Sequence, residues 1–196
     1  SASYSILENL KYDDELYVRK SVANHVNDIS KDHRKEALEL IAKWLREART
    51  EDQKIKIDWI ARHGLRTLLK KGDAQALRLI GSKPSKHLKI RNVEMVGSRL
   101  KLGDHFSFRV EIENTGAKSE QVSLDYVIYF LTQTGRHSEK VFRLRTVNIG
   151  PKDRLAFTKK HRMKHMSTRR LVAGRHFFQI QCNGERTSRR SWTLYL

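Results

Sequence analysis

Between Asp13 and His33 the apolar residues Leu16, Val18, Val22, Ala23, Val26 and Ile29 recur every three or four positions. That is the period of a helix with one buried face. Arg34 to Arg49 repeats it with Ala37, Leu38, Leu40, Ile41, Trp44, Leu45 and Ala48, and Asp52 to Lys71 with Ile55, Ile60, Leu65, Leu68 and Leu69. Gly72 then reads as a helix C-cap and Asp73 as the cap of a short last helix, Ala74 to Ile80. Long helices with short joins predict stacked helix pairs of the solenoid type. Two pairs are fewer than such arrays usually need to stand alone.

Further along, the period drops to two. Phe106, Phe108, Val110 and Ile112 alternate with polar residues, and Val122, Leu124, Tyr126, Ile128 and Phe130 do the same. Turn signals stand at Asn114-Thr115-Gly116, Thr134-Gly135, Gly150-Pro151 and Asn183-Gly184. Further runs cover Val141–Ile149, Arg154–Arg162, Arg175–Cys182 and Ser191–Leu196. This pattern predicts a two-sheet, immunoglobulin-like β-sandwich. The expected fold class is therefore α + β, with helical repeats over 1–87 and a sandwich over 88–196. The join falls at 83–87, around Pro84.

Charge separates the same halves. Residues 1–87 carry 18 Lys+Arg against 13 Asp+Glu, and residues 88–196 carry 22 against 9. A net charge of +18 on 196 residues implies an anionic partner, nucleic acid first. Several classes drop out. No run of 18 apolar residues or signal segment occurs, so no membrane is expected. The lone Cys182 excludes an internal disulfide or a cysteine-based zinc cluster and points to a reducing, intracellular setting. No Gly-rich phosphate loop or His-Glu-x-x-His helix appears, and His161 and His165 lie in strand or loop sequence, so neither metal nor cofactor is expected.

Two polar stripes carry the candidate chemistry. On the first long helix Tyr17, Lys20, Ser21, Asn24, Asn27, Asp28 and Lys31 sit at offsets of three or four. Asn and Asp in mid-helix compete for backbone groups and cost propensity. Either a bound partner offsets that cost, or Asn24 and Asn27 tie neighbouring helices together. The third helix has Trp59, Arg62, His63, Arg66 and Lys70 at the same spacing. Arg forks suit phosphate, although Arg62 has Asp58 within reach and Trp59 reads equally as core. Stacked helix pairs would join the stripes into a basic groove with one carboxylate, Asp28. Residues 152–190 add 12 Lys+Arg against Asp153 and Glu185, with Arg169, Arg170 and Arg175 the candidates for DNA contact.

The run from Tyr17 to His33 (Tyr-Val-Arg-Lys-Ser-Val-Ala-Asn-His-Val-Asn-Asp-Ile-Ser-Lys-Asp-His) is similar to a signature of the AlkC branch of the AlkC/AlkD-type bacterial DNA alkylation-repair glycosylases. Trp59 to Gly72 resembles its next repeat. The segments 125–130, 140–144, 167–170 and 179–184 resemble the immunoglobulin-like domain of many AlkC proteins. The resemblance implies HEAT-like repeats on double-stranded DNA, in a monomeric cytoplasmic protein. It implies hydrolysis of the N-glycosidic bond of cationic bases, 3-methyladenine and 3-methylcytosine, without flipping the nucleotide. Asp28 falls at an active-site carboxylate, Arg19 at a phosphate contact, and His63 where the AlkD branch has an aromatic residue. In the family this segment is the C-terminal half, so the chain is expected to be a partial enzyme. The alternative is a module that binds duplex DNA without cutting any bond.

Overall fold

In the computed structural model, which describes residues 2–166 and 170–196, the first part of the chain forms six helices. They are α1 (Ala2–Leu10), α2 (Leu16–Asp32), α3 (Arg34–Glu47), α4 (Glu51–Gly64), α5 (Arg66–Lys70) and α6 (Ala74–Leu79). The chain divides into two units, Ser1–Lys83 and Pro84–Leu196. In the helical unit Val22, Val26, Ile41, Trp44, Ile57, Ile60 and Leu65 are fully buried. Each such side chain stabilises the fold by about 1.5–3 kcal/mol. Gly72 takes φ +76, and the Asp73 carboxylate accepts from the amides of Gln75 and Ala76, capping α6. α4 starts from a capping box between Thr50 and Gln53.

Two features depart from the expected helices. The third helix is not continuous over 52–71: it breaks at Leu65 (φ −96°, ψ 10°) and restarts as α5. Gly64 lies against α2 at that break, where an added Cβ would meet Val26 Cγ1 at 2.9 Å. The tight approach admits only glycine, a poor helix former. The second departure is α1, which the apolar spacing did not announce. It is held by charge as well as by Leu7. Glu8 accepts from Lys11 (2.6 Å), Lys43 (2.6 Å) and the Trp44 indole (2.9 Å). Nearby, the buried Lys56 pairs with Asp14 and with Asp52 (2.7 Å), tying the α1–α2 turn to α4.

The Glu8 network has a pH consequence. Burial alone would raise the Glu8 carboxyl. The donors Lys11, Lys43 and Trp44 overcome it and hold it at about 2, against an ordinary 4.5. A depressed carboxyl stabilises the fold above its unfolded value and loses that contribution as pH falls through its folded value. Helical-unit stability is therefore expected to fall between 4.5 and about 2. Glu8→Gln should flatten that part of an acid titration followed by helix ellipticity.

The second unit contains β1 (Leu88–Val96), β2 (Arg99–Lys101), β3 (His105–Asn114), β4 (Glu120–Leu131), β5 (His137–Ile149), β6 (Arg154–Arg162), β7 (Gly174–Cys182), β8 (Glu185–Arg186) and β9 (Arg190–Tyr195). One sheet has the order β1-β3-β6. The other runs β2-β9-β7-β4-β5, with β8 paired to β7. All pairings are antiparallel except β2 with β9. In place of a disulfide, aromatic packing joins the sheets. Phe106 of β3 lies 5.4 Å from Trp192 and 5.0 Å from Phe178, and Phe108 lies 4.6 Å from Phe178. Asn114 Nδ2 donates to the carbonyls of Ile149 and Gly150, linking the ends of β3 and β5.

The alternation in β4 suggests one wet face, yet residues 122–130 are buried on both. Arg143 reaches Asp125 (3.0 Å), and Arg189 lies over the Tyr129 ring at 4.2 Å. Among the described residues no helix is long and apolar enough to cross a membrane.

Candidate nucleic-acid interface

α2 turns Val22, Ala23, Val26, Asn27 and Ser30 inward. The residues one face round, Tyr17, Lys20, Ser21, Asn24, Asp28 and Lys31, are exposed. α2 packs against α4 and α5, which sets the second stripe beside the first.

Asp28 points to solvent and accepts from Lys31 Nζ at 2.6 Å. That hydrogen bond, then the charges of Lys31, Arg66 and His25, hold its carboxyl below the ordinary carboxylate value. Asp28 is thus ionised at neutral pH and sits in a local field of cations drawn from both stripes. Arg66 is half-buried and donates to the His63 carbonyl at 2.8 Å. His63 is exposed and stacks on Trp59, with ring centroids 3.8 Å apart and planes at 18°. Its Nδ1 lies 2.7 Å from the Trp59 carbonyl. Trp59 is itself partly buried against the helical core, so the pair forms a ring platform anchored at one end. Lys20, Asn24 and Lys70 also stand on the exposed surface.

Three of the expected contact residues are engaged within the fold. Asn27 is only 2% exposed, and its Oδ1 accepts from the amide (3.2 Å) and hydroxyl (2.9 Å) of Thr67. It ties α2 to α5. Arg62 is held by Asp58 (2.7 Å) and by the Ile80 carbonyl (3.3 Å), a structural clamp between α4 and the end of α6. Arg19 is half-buried, and its Nη1 donates to the carbonyls of Asp13 (2.7 Å) and Asp14 (2.8 Å). It staples the turn before α2. His25, outside the two predicted stripes, is exposed and three residues before Asp28 on the same helix. The i, i+3 offset was the available signal.

The Asn27–Thr67 tie sets the spacing of the two stripes. Asn27→Ala leaves the Thr67 donors without their acceptor, at a cost of about 1–3 kcal/mol. A lower Tm for the helical unit is expected, measured by thermal unfolding.

In the second unit Arg170 and Arg175 are exposed. Arg169 lies outside the described residues. Arg189, just before β9, is exposed and lies over the Tyr129 ring. Among the described residues no group of three or more His, Cys, Asp or Glu could hold a metal ion. Burial pushes the Cys182 thiol up to about 12, with Glu185 and Asp125 adding to the effect, so it is not a nucleophile at neutral pH.

Residues 89–196 match the family model described as the C-terminal Ig-like domain of the uncharacterised protein YhaZ. The chain is similar to the uncharacterized protein YhaZ of Bacillus subtilis (strain 168), at 34% identity over 180 residues. That match covers 92% of this chain and 48% of that protein. It is also similar to a solved structure of the Pseudomonas fluorescens alkylpurine DNA glycosylase AlkC bound to DNA containing an abasic site analog. There the identity is 35% and the TM-score 0.89, over 98% of this chain and 52% of the other. The chain spans about half the length of both.

Proposed function

The chain belongs to the AlkC-type family, through a YhaZ-type C-terminal Ig-like domain and an AlkC-like fold over 98% of its length, and on that premise we propose that it works in DNA repair as a glycosylase of alkylated bases. The observation that carries this reading is Asp28, an exposed carboxylate on the polar face of α2 that accepts from Lys31 at 2.6 Å, with the charges of Arg66 and His25 acting on it. In this reading the helices are HEAT-like repeats that lie along duplex DNA. Lys20, Asn24, Lys31, His63, Arg66 and Lys70 meet the backbone and the lesion. Arg170 and Arg175 contact the duplex from the sandwich. The protein acts as a monomer in the bacterial cytoplasm.

The chemistry follows from the leaving group. A base alkylated at a ring nitrogen is cationic, and when its glycosidic bond breaks it takes the bonding pair and leaves neutral. The sugar gains oxocarbenium character, which a nearby anion stabilises. Asp28 supplies that anion and orients the water whose oxygen bonds to the anomeric carbon, and the water's proton passes to solvent. Docking on DNA draws Lys31 to a phosphate and frees the Asp28 oxygen that it occupies. A neutral base leaves less readily, so selectivity for 3-methyladenine and 3-methylcytosine arises partly from the bond itself, without the nucleotide being flipped into a pocket. The Trp59–His63 platform offers the cationic base a π face.

The test is base release from duplex oligonucleotides carrying either lesion. Release above the uncatalysed rate is the expected result. Duplex binding with no release would overturn the glycosylase reading in favour of a binding module.

A further inference from the structure

The sandwich carries a cavity that the Asp28 reading does not use. It opens between β6 and β5, each the edge strand of its own sheet, and has a volume of about 280 Å³. Tyr126, Phe130 and Met163 form its floor and are buried. Phe142 stacks on Tyr126 at 5.0 Å, and the His161 ring meets Phe142 edge-on at 4.8 Å. Tyr126 Oη and His161 Nδ1 are hydrogen-bonded at 2.9 Å.

The β6 residues break the expected pattern. Leu155, Phe157, Lys159 and His161 are the less exposed positions of the strand. On that face the first two are apolar and the last two polar. Lys159, Arg162 and Lys164 border the cavity. Among the described residues none of these three has a carboxylate within 4.0 Å.

An aromatic floor with a cationic border selects a flat ring attached to an anion. Stacking on aromatic side chains combined with backbone phosphate contacts is how proteins hold unpaired nucleotides. The volume lies near the roughly 300 Å³ lower end of small-molecule sites, room for one ring and not for a base pair. We propose that this cavity binds a single nucleotide unit, its base among Tyr126, Phe142 and His161 and its phosphate on Lys159 and Lys164. The unit is a free mononucleotide or the end of a single strand. The site breaks no bond and does not depend on Asp28. A competing role for Lys159 is as an edge guard, an inward-facing charge that stops strand-to-strand aggregation.

Calorimetric titration of the whole chain tests this, with dAMP, deoxyadenosine, inorganic phosphate and a 5′-phosphorylated hexadeoxynucleotide as probes. Saturable dAMP binding is expected, at least about tenfold tighter than deoxyadenosine or phosphate, since a charge-assisted phosphate contact carries about that factor. Lys159→Gln and Phe142→Leu should each weaken dAMP, while Lys118→Gln, in the exposed β3–β4 turn, should not. A hexamer that binds more tightly than dAMP identifies the source as a strand end, and one that is excluded identifies a free nucleotide. The proposal is overturned if neither dAMP nor the hexamer saturates, or if phosphate matches dAMP. It is equally overturned if Lys159→Gln leaves nucleotide binding intact and only promotes self-association. Because Phe142→Leu removes the ring stacked on Tyr126, its near-UV spectrum is compared with wild type, and Lys159→Gln decides the outcome alone if the two differ. Failure of base release from lesion duplexes leaves these titrations unchanged.

Discussion

Asp28→Asn is expected to slow base release by about 10²–10⁴-fold, the usual range for a positioned catalytic carboxylate. The substitution keeps the size of the side chain and removes its charge. Asp28 is solvent-facing and contributes nothing to the helical core, so folding and duplex affinity should be retained. Single-turnover release from a 3-methyladenine duplex measures the effect. An unchanged rate removes Asp28 from the chemistry, even if the chain still binds DNA. Because neighbouring cations hold the carboxyl below its ordinary value, Asp28 stays ionised through neutral pH. Any activity change near neutrality must then come from a group other than Asp28.

Trp44→Ala should have the largest effect on stability. Trp44 is fully buried in the helical unit, and its indole donates to Glu8. Truncating a buried Trp typically costs about 3–5 kcal/mol. In a domain of this size each kcal/mol lowers Tm by about 4–8 °C. The substitution also removes one of three donors on Glu8, so the Glu8 carboxyl should move back toward its ordinary value and acid sensitivity should begin at higher pH. Thermal unfolding at neutral and acidic pH separates the two effects. A Tm within a few degrees of wild type would mean that α1 and α3 repack around the void.

The sequence announced α2, α3 and the alternating strands because each is a local pattern. A helix repeats every 3.6 residues and a strand every two, whatever lies opposite. β1 was harder to see because its register shifts between Ile90 and Asn92, and β2 has only three residues. The exposed row of Asn24, Asp28 and Lys31 was legible for the same reason as the helices. Its edges were not. Asn24 and Asn27 belong to one stripe and have the same chemistry, yet one faces solvent and the other binds Thr67. Arg62 and Arg66 likewise share a stripe, and only Arg62 is clamped by Asp58 and Ile80.

The amino-acid order by itself determined the two kinds of unit, the turn glycines and the helix face that carries Asp28, because neighbours along the chain set those features. Only the tertiary structure decided that the third helix breaks where Gly64 meets Val26, that Asn27 goes inward, and that Arg66 stands close enough to Asp28 to lower its pKa. Those outcomes depend on how near a second helix lies. That distance comes from side chains packed tens of residues apart, and no local repeat encodes it.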